Sequence, residues 1–87
     1  MDIVHDDLKK EFYVIVEGVR AYAQYEVTDG TFDVLSTQVP EEIGGRGIAG
    51  ALMKACYDYA RDKNLSCAGT CSYAAAYLKR HPEYGAK

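Results

Sequence analysis

The chain has 87 residues, a formal net charge of −3, and a composition that is 48% hydrophobic and 26% charged. These values are typical of a small globular domain and exclude the low hydrophobicity of a disordered chain. The Lys and Arg residues are scattered along the sequence instead of forming a basic stripe, so we expect no nucleic-acid partner. We interpret residues 1–87 as one domain that is a monomer or a weak homodimer.

The N-terminal residues Met1–Asp7 have neither the basic start nor the apolar run of a signal peptide. No stretch approaches the roughly 18 apolar residues that a membrane-spanning helix needs. Three cysteines form an odd set without the C-x-x-C spacing of a zinc site: Cys56, Cys67 and Cys71. We therefore predict a cytoplasmic protein with no metal, no disulfide framework and no membrane partner.

Alternating apolar and polar residues predict strands in the first half of the chain. The four stretches are Ile3–His5, Phe12–Glu17, Ala21–Val27, and a segment around Phe32 and Val34 that ends at Pro40. Asp29 and Gly30 predict a tight hairpin, because both residues tolerate a positive φ. The first strand is expected at an edge, with His5 exposed and without a partner.

The second half of the chain predicts two helices around a fifth strand. Apolar residues at helical spacing predict a helix that begins at Ile48 and ends near Lys63-Asn64. Alternation from Leu65 to Cys71 predicts the fifth strand, and Ser72 is expected to cap a helix over Tyr73–Arg80. The predicted class is α+β in the order ββββαβα, an antiparallel meander joined by a fifth strand and two helices.

A cluster of glycines precedes the long helix: Gly44, Gly45, Gly47 and Gly50. The first turn of a helix presents unpaired N–H groups and the positive end of the helix dipole, and glycines let a phosphate approach the backbone. The cluster lacks the lysine of a P-loop and the βαβ context of a dinucleotide fingerprint. Taken alone, the glycines are also compatible with a tight loop that only packs the helix on the sheet.

The residues on either side of the glycines narrow the interpretation. T-Q-V-P-E-E at 37–42 followed by G-R-G-I-A at 45–49 resembles the acetyl-coenzyme A signature of the GNAT acetyltransferases, Q/R-x-x-G-x-G/A. T-C-S-Y at 70–73 and H-P-E-Y at 81–84 are similar to the second hallmark of a small single-domain group in that superfamily. Gly44 stands where the pattern has Arg or Gln, which removes one side chain near the pyrophosphate.

The resemblance implies that acetyl-coenzyme A is the co-substrate and that backbone N–H groups between Gly45 and Gly50 bind its pyrophosphate. Val39, at the end of the fourth strand, would pair with the pantetheine arm. Arg46 would add charge at the phosphates, or be a solvated loop cation. The implied coenzyme-binding residues are Val39, Gly44, Gly45, Arg46, Gly47, Ile48, Ala49, Gly50, Cys71, Tyr73, Tyr77 and Arg80.

Acetyl transfer needs a nucleophile, a proton acceptor and donors for the developing oxyanion. The superfamily usually uses direct attack by a bound amine, but a cysteine thiolate at a helix N-terminus could also relay the acetyl group. Cys71 is the candidate nucleophile, and a small apolar packing role is its alternative. His81 is the candidate base, and a favourable interaction with a helix C-terminus is its alternative.

The leading hypothesis is an acetyl-coenzyme A dependent acetyltransferase that acts on an amine of a small molecule or a protein, with Cys71 assisting. The first alternative is a non-catalytic coenzyme A binding or regulatory module, which Gly44 and the small size suggest. The second is an interaction domain without a ligand.

Overall fold

The structure is a computed structural model and describes residues 1–85. Five strands and two helices follow one another in the predicted order ββββαβα, so the α+β class is confirmed. Short 3₁₀ turns lie at Glu41–Ile43 and Pro82–Tyr84. The bounds are β1 (Val4–Asp6), β2 (Glu11–Val16), β3 (Val19–Thr28), β4 (Thr31–Gln38), α1 (Ile48–Asp62), β5 (Ser66–Gly69) and α2 (Ser72–Arg80).

The strands form one five-stranded sheet in the order β1-β2-β3-β4-β5. The first four strands are antiparallel neighbours, whereas β5 pairs with β4 in parallel. Asp29 and Gly30 have φ values of 52° and 77°, which give the tight hairpin that the sequence predicts. The parallel pairing follows from the connection, because α1 carries the chain back to the end of the sheet at which β4 begins.

Both helices pack on the same face of the sheet. Phe32 of β4 and Tyr57 of α1 are completely buried, and their rings meet at 6.0 Å between centroids. The Tyr57 hydroxyl donates to the backbone carbonyl of Ala68 at 2.7 Å, which ties α1 to β5. Tyr77 of α2 stacks on Tyr57 at 6.2 Å, so both helices share one core.

A β-bulge divides β4 into two parts. Tyr25 of β3 pairs with Val34, but the preceding Gln24 pairs with Ser36, so Leu35 is an extra residue. A bulge of this kind reverses the alternation of side chains beyond it. Thr37, which pairs with the buried Ala23, therefore lies on the helix-covered face of the sheet.

Three local expectations are wrong. The N-cap of α2 is Cys71, because the Ala75 N–H donates to the Cys71 carbonyl at 2.9 Å, and Ser72 is the first helical residue. The fifth strand ends at Gly69, before Cys71, because the chain turns there into α2. His5 is not exposed and unpartnered: its ring stacks on Phe12 at 4.2 Å and bonds the Tyr25 hydroxyl.

Gly69 is the point where α2 lies closest to the sheet. A Cβ at this position would lie 2.7 Å from the Ala75 nitrogen and 2.8 Å from the carbonyl carbon of Ala74. Because these atoms are backbone, α2 would have to move away from β5 in a Gly69→Ala variant. We expect a loss of about 1–3 kcal/mol in the free energy of unfolding, seen as a Tm lowered by about 4–8 °C per kcal/mol in thermal denaturation.

Gly85→Ala is the matched control for this prediction. Gly85 has a φ of −93°, and its added Cβ would meet its nearest neighbour at an ordinary 3.6 Å. The control should melt close to the wild type. A Gly69→Ala protein as stable as Gly85→Ala would contradict the close packing of α2 on β5.

Candidate functional site

The sheet opens into a gap between β4 and α2. The pairing of β4 with β5 ends where Val34 meets Gly69, although β4 continues to Gln38. After Gly69, the Cys71 N–H still donates to the Val34 carbonyl of β4, at 3.1 Å. Beyond Val34, β4 therefore faces the first turn of α2 instead of a strand, and we call this opening the β4–α2 gap.

The glycine loop, residues 44–47, lies between two buried anchors. Ile43 and Ile48 are 1% and 2% exposed, whereas the four residues between them are exposed. Gly45 and Gly47 adopt φ values of 74° and 75°, in the left-handed region that favours glycine. A Cβ at either glycine would have nothing within 4 Å, so the space beside this loop is open.

The loop leads directly into the N-terminus of α1. Gly47 is the N-cap, and its carbonyl accepts from the Ala51 N–H at 3.0 Å. Within residues 1–85, no side chain caps this terminus and no acidic residue lies in its first turn. The N–H groups of the first turn and the positive end of the helix dipole are thus available for an anion.

Arg46 is turned towards the β2–β3 hairpin. Its guanidinium makes two hydrogen bonds to the Glu17 carboxylate, at 2.8 and 3.3 Å. The hydrogen bonds and charge of Arg46 lower the pKa of the Glu17 carboxyl from its ordinary value. In this arrangement Arg46 tethers the glycine loop to the sheet, and it would have to release Glu17 to reach a phosphate.

Tyr73 links the two sequence motifs in space. A Cβ built on Gly50, in the first turn of α1, would lie 3.7 Å from the Tyr73 hydroxyl. Tyr73 belongs to the first turn of α2, immediately after Cys71 and Ser72. The N-termini of the two helices therefore lie side by side, with the glycine loop at one and Cys71 at the other.

The Cys71 sulfur lies at the β4–α2 gap, with hydrogen-bond donors around it. Sγ lies 3.6 Å from Oγ1 of Thr37. Burial raises the pKa of the Cys71 thiol, but the donors outweigh burial and the pKa is lowered overall. The donors are the backbone N–H groups of Ala74, Tyr73 and Thr37 and the Thr37 hydroxyl. By contrast, burial raises the pKa of Cys56, in the core, to about 12.

Asp33 fixes the backbone immediately before Cys71. Its two carboxylate oxygens accept from the N–H and the hydroxyl of Thr70, at 2.8 and 2.7 Å. Together with the bond from Cys71 to Val34, these contacts secure the entry to α2 from the β4 side. The position of the sulfur is thus set by β4 as much as by α2.

His81 lies at the opposite end of α2 from Cys71. The two residues are ten positions apart, which corresponds to about 15 Å along a helix, too far for direct proton transfer. The His81 ring stacks on Tyr77 at 4.1 Å, and Nδ1 lies 3.4 Å from Oε2 of Glu83. Arg80 is exposed at the same end, and the Tyr77 ring is buried. The structure does not bring these three residues to the gap.

Two residues beside Cys71 were not recognised as functional candidates in the sequence. In the sequence, Thr37 is only the first residue of the T-Q-V-P-E-E motif, and Asp33 is an ordinary residue of a predicted strand. A strand's alternation would have placed Thr37 on the opposite face from Val34, and no residue pattern announces the bulge at Leu35. Their roles become visible only when β4 and α2 are seen together.

Two structural features are absent from the described residues, 1–85. No group of three or more His, Cys, Asp or Glu side chains is arranged there to hold a metal ion. No helix in this part of the chain has the length and apolarity needed to cross a membrane.

Comparison with known proteins gives matches over most of the chain. Residues 11–87 match the family described as GCN5-related N-acetyl-transferase. Protein NATD1 of Xenopus tropicalis is 37% identical over 83 residues, which cover 92% of this chain and 76% of the relative. Protein NATD1 of Homo sapiens is 36% identical over 83 residues, which cover 92% and 74%. The solution structure of a GCN5-like protein from Staphylococcus aureus gives a TM-score of 0.75 at 28% identity, over 95% of this chain and 82% of that one.

Proposed function

The chain belongs to the GCN5-related N-acetyltransferase family and is an acetyltransferase, and on that premise we propose that it moves acetyl from acetyl-coenzyme A to an amine. The observation that carries the proposal is the adjacency of the two helix N-termini. One offers an anion site at the glycine loop, and the other offers a thiol with a lowered pKa, with Tyr73 beside Gly50 between them. A phosphate-bearing thioester has the two chemical groups that these sites would receive.

The coenzyme site is proposed along the glycine loop and the β4–α2 gap. The exposed backbone of Gly44 to Gly47 and the first turn of α1, Ile48 to Gly50, suit the pyrophosphate, because they present N–H groups and open space. Val39, which follows β4 and packs partly on the core, suits the pantetheine arm. Tyr73 would border both parts.

Three predicted contacts have weaker support. Arg46 is engaged by Glu17, so we assign it to holding the loop in place. Tyr77 is 7% exposed and Arg80 lies in the last turn of α2, away from the gap. We therefore leave Tyr77 and Arg80 outside the proposed coenzyme site, together with His81.

Cys71 is proposed as a covalent relay. Its thiolate Sγ attacks the thioester carbonyl carbon, a new S–C bond forms, and the bond to the coenzyme sulfur breaks with departure of a thiolate. The acceptor amine then attacks the acetylated Cys71, Sγ leaves as the thiolate, and the amine gives its extra proton to water. Neither step changes an oxidation state. The donors around Sγ favour this route because they stabilise the charge on the nucleophile and on the second leaving group.

The acceptor is proposed as an amine of a small molecule or a protein. Glu41 and Glu42 are exposed beside the glycine loop and could attract a cationic amine before its deprotonation. A reduced thiol at Cys71 requires a reducing compartment, so we propose a cytoplasmic location. We also propose that the chain is a single catalytic domain that works as a monomer or a weak homodimer.

The test is a calorimetric titration of acetyl-coenzyme A into the protein, followed by intact-mass spectrometry of the same sample. We expect saturable binding and a mass increase of one acetyl group on a fraction of the chains. Incubation with labelled acetyl-coenzyme A and a panel of amines should release acetylated amine. Absence of binding would reject the coenzyme site, and binding without transfer to any amine would favour a coenzyme A binding or regulatory module.

A further inference from the structure

Thr37 reaches Cys71 because of the bulge at Leu35. Before the bulge, Val34 lies on the helix-covered face, and regular alternation would place Ser36 on that face next. The extra residue instead gives Thr37 the inner position, and Ser36 donates from its hydroxyl to the Gln24 side chain at 3.2 Å. One irregularity in the strand thus decides which hydroxyl faces the sulfur.

The sulfur has a fixed position relative to Thr37. The Cys71 N–H bonds the Val34 carbonyl at 3.1 Å, three residues before Thr37 on the same strand. Asp33 accepts from the backbone N–H and the hydroxyl of Thr70, so two successive residues, Thr70 and Cys71, are bound to β4. The 3.6 Å separation of Sγ and Oγ1 is therefore fixed by the hydrogen bonds that join the start of α2 to β4.

We propose that Thr37 is a positioning residue for the Cys71 thiolate: its hydroxyl holds the sulfur at the β4–α2 gap and stabilises its negative charge. The consequence for turnover rests on the proposed covalent route, whereas the effect on the thiol does not. In the thiolate the Thr37 hydroxyl donates to Sγ, so Thr37 supports both the attack and the later departure of the sulfur.

The titratable groups named here, which lie near Cys71 on β4, α1 and α2, do not obscure the ionisation of its thiol. Asp33 faces it from β4, but both of its carboxylate oxygens are engaged by Thr70. Tyr57 faces it from α1, and burial raises the pKa of its hydroxyl, which donates to the Ala68 carbonyl. Tyr73 follows Cys71 on α2 itself and is exposed. A change in reactivity between about pH 6 and 9 therefore reports the Cys71 thiol.

The experiment measures the rate of alkylation of Cys71 by iodoacetamide as a function of pH, with peptide mass spectrometry to separate Cys71 from Cys56 and Cys67. Thr37→Val removes the hydroxyl with little change of shape, and Thr37→Ser restores it. Ser36→Ala removes the neighbouring hydroxyl on the opposite face and is the matched control. Thermal denaturation of each variant establishes that the fold is intact.

We expect the Thr37→Val profile to move about one pH unit upwards, so that alkylation below the thiol pKa slows about tenfold. Thr37→Ser and Ser36→Ala should follow the wild type. The proposal is overturned if Thr37→Val overlays the wild type, or if Thr37→Ser shifts as far as Thr37→Val. A shifted Thr37→Val profile in a protein that acetyl-coenzyme A never acetylates would uphold the role of Thr37 and reject the covalent route.

Discussion

Replacing Cys71 by alanine is expected to eliminate the acetylated enzyme and to lower kcat for acetyl transfer by at least about a thousandfold, because the nucleophile of the covalent route is lost. The binding of acetyl-coenzyme A should change little, since the proposed phosphate site uses the backbone at the other helix N-terminus. Steady-state kinetics with an amine acceptor measures the first effect, and calorimetry measures the second.

Cys67→Ala is the control, because it removes another thiol from β5, where Cys67 pairs with Phe32 before the gap opens. It should retain both the acetylated species and most of the activity. A Cys71→Ala enzyme with wild-type kcat would show that the amine attacks the thioester directly. The family assignment would stand, but the sulfur would then have no covalent role.

Replacing Gly47 by valine is expected to weaken acetyl-coenzyme A binding by about tenfold to a hundredfold. The new side chain would occupy open space at the N-terminus of α1, where the phosphates are proposed to lie. A phosphate displaced by this side chain would lose a charge-assisted hydrogen bond to the backbone. Such a bond is worth about 1.5–3 kcal/mol, which gives this range of Kd. Calorimetric titration of the folded variant measures the change.

Gly30→Val is the matched control for backbone strain. Gly30 has a φ of 77°, close to the 75° of Gly47, and its added Cβ likewise meets nothing within 4 Å. Both substitutions therefore carry the same cost of a branched residue in the left-handed region, about 1–2 kcal/mol. Gly30 precedes β4, whereas the glycine loop follows it, so only Gly47→Val should affect binding. Equal Kd values for the two variants would reject the glycine loop as the phosphate site.

The residue pattern alone was sufficient to predict the order of the strands and helices. Asp29-Gly30 formed the expected hairpin, because positive φ at two successive residues is a local property. The helical spacing correctly predicted that α1 begins at Ile48. The end expected near Lys63-Asn64 is also correct, because the helix ends at Asp62 and Asn64 adopts a left-handed φ of 60°. The order ββββαβα and the GNAT resemblance are confirmed, since both rest on short stretches of neighbouring residues.

The partners of His5 and Arg46, which the sequence did not predict, are contacts between distant parts of the chain. His5 was expected to be exposed because an edge strand of three residues has no local reason to be covered, yet Phe12 and Tyr25 give it partners. For Arg46, the resemblance implies charge at the phosphates or a solvated loop cation, and only the fold reveals that Glu17, far away in sequence, binds its guanidinium. Such partners leave no periodic signal in the residues themselves.

The sequence by itself determined the Asp29-Gly30 hairpin, the helix α1, the glycine loop and the family, because each depends on backbone preferences or spacing within a few residues. Only the tertiary structure decided that Cys71 lies across the β4–α2 gap from Thr37, that Tyr73 reaches Gly50 of α1, and that His81 lies at the far end of α2. The reason is physical: a bulge in β4, the parallel docking of β5 and the packing of α2 on Gly69 set these distances through contacts between residues far apart in the chain.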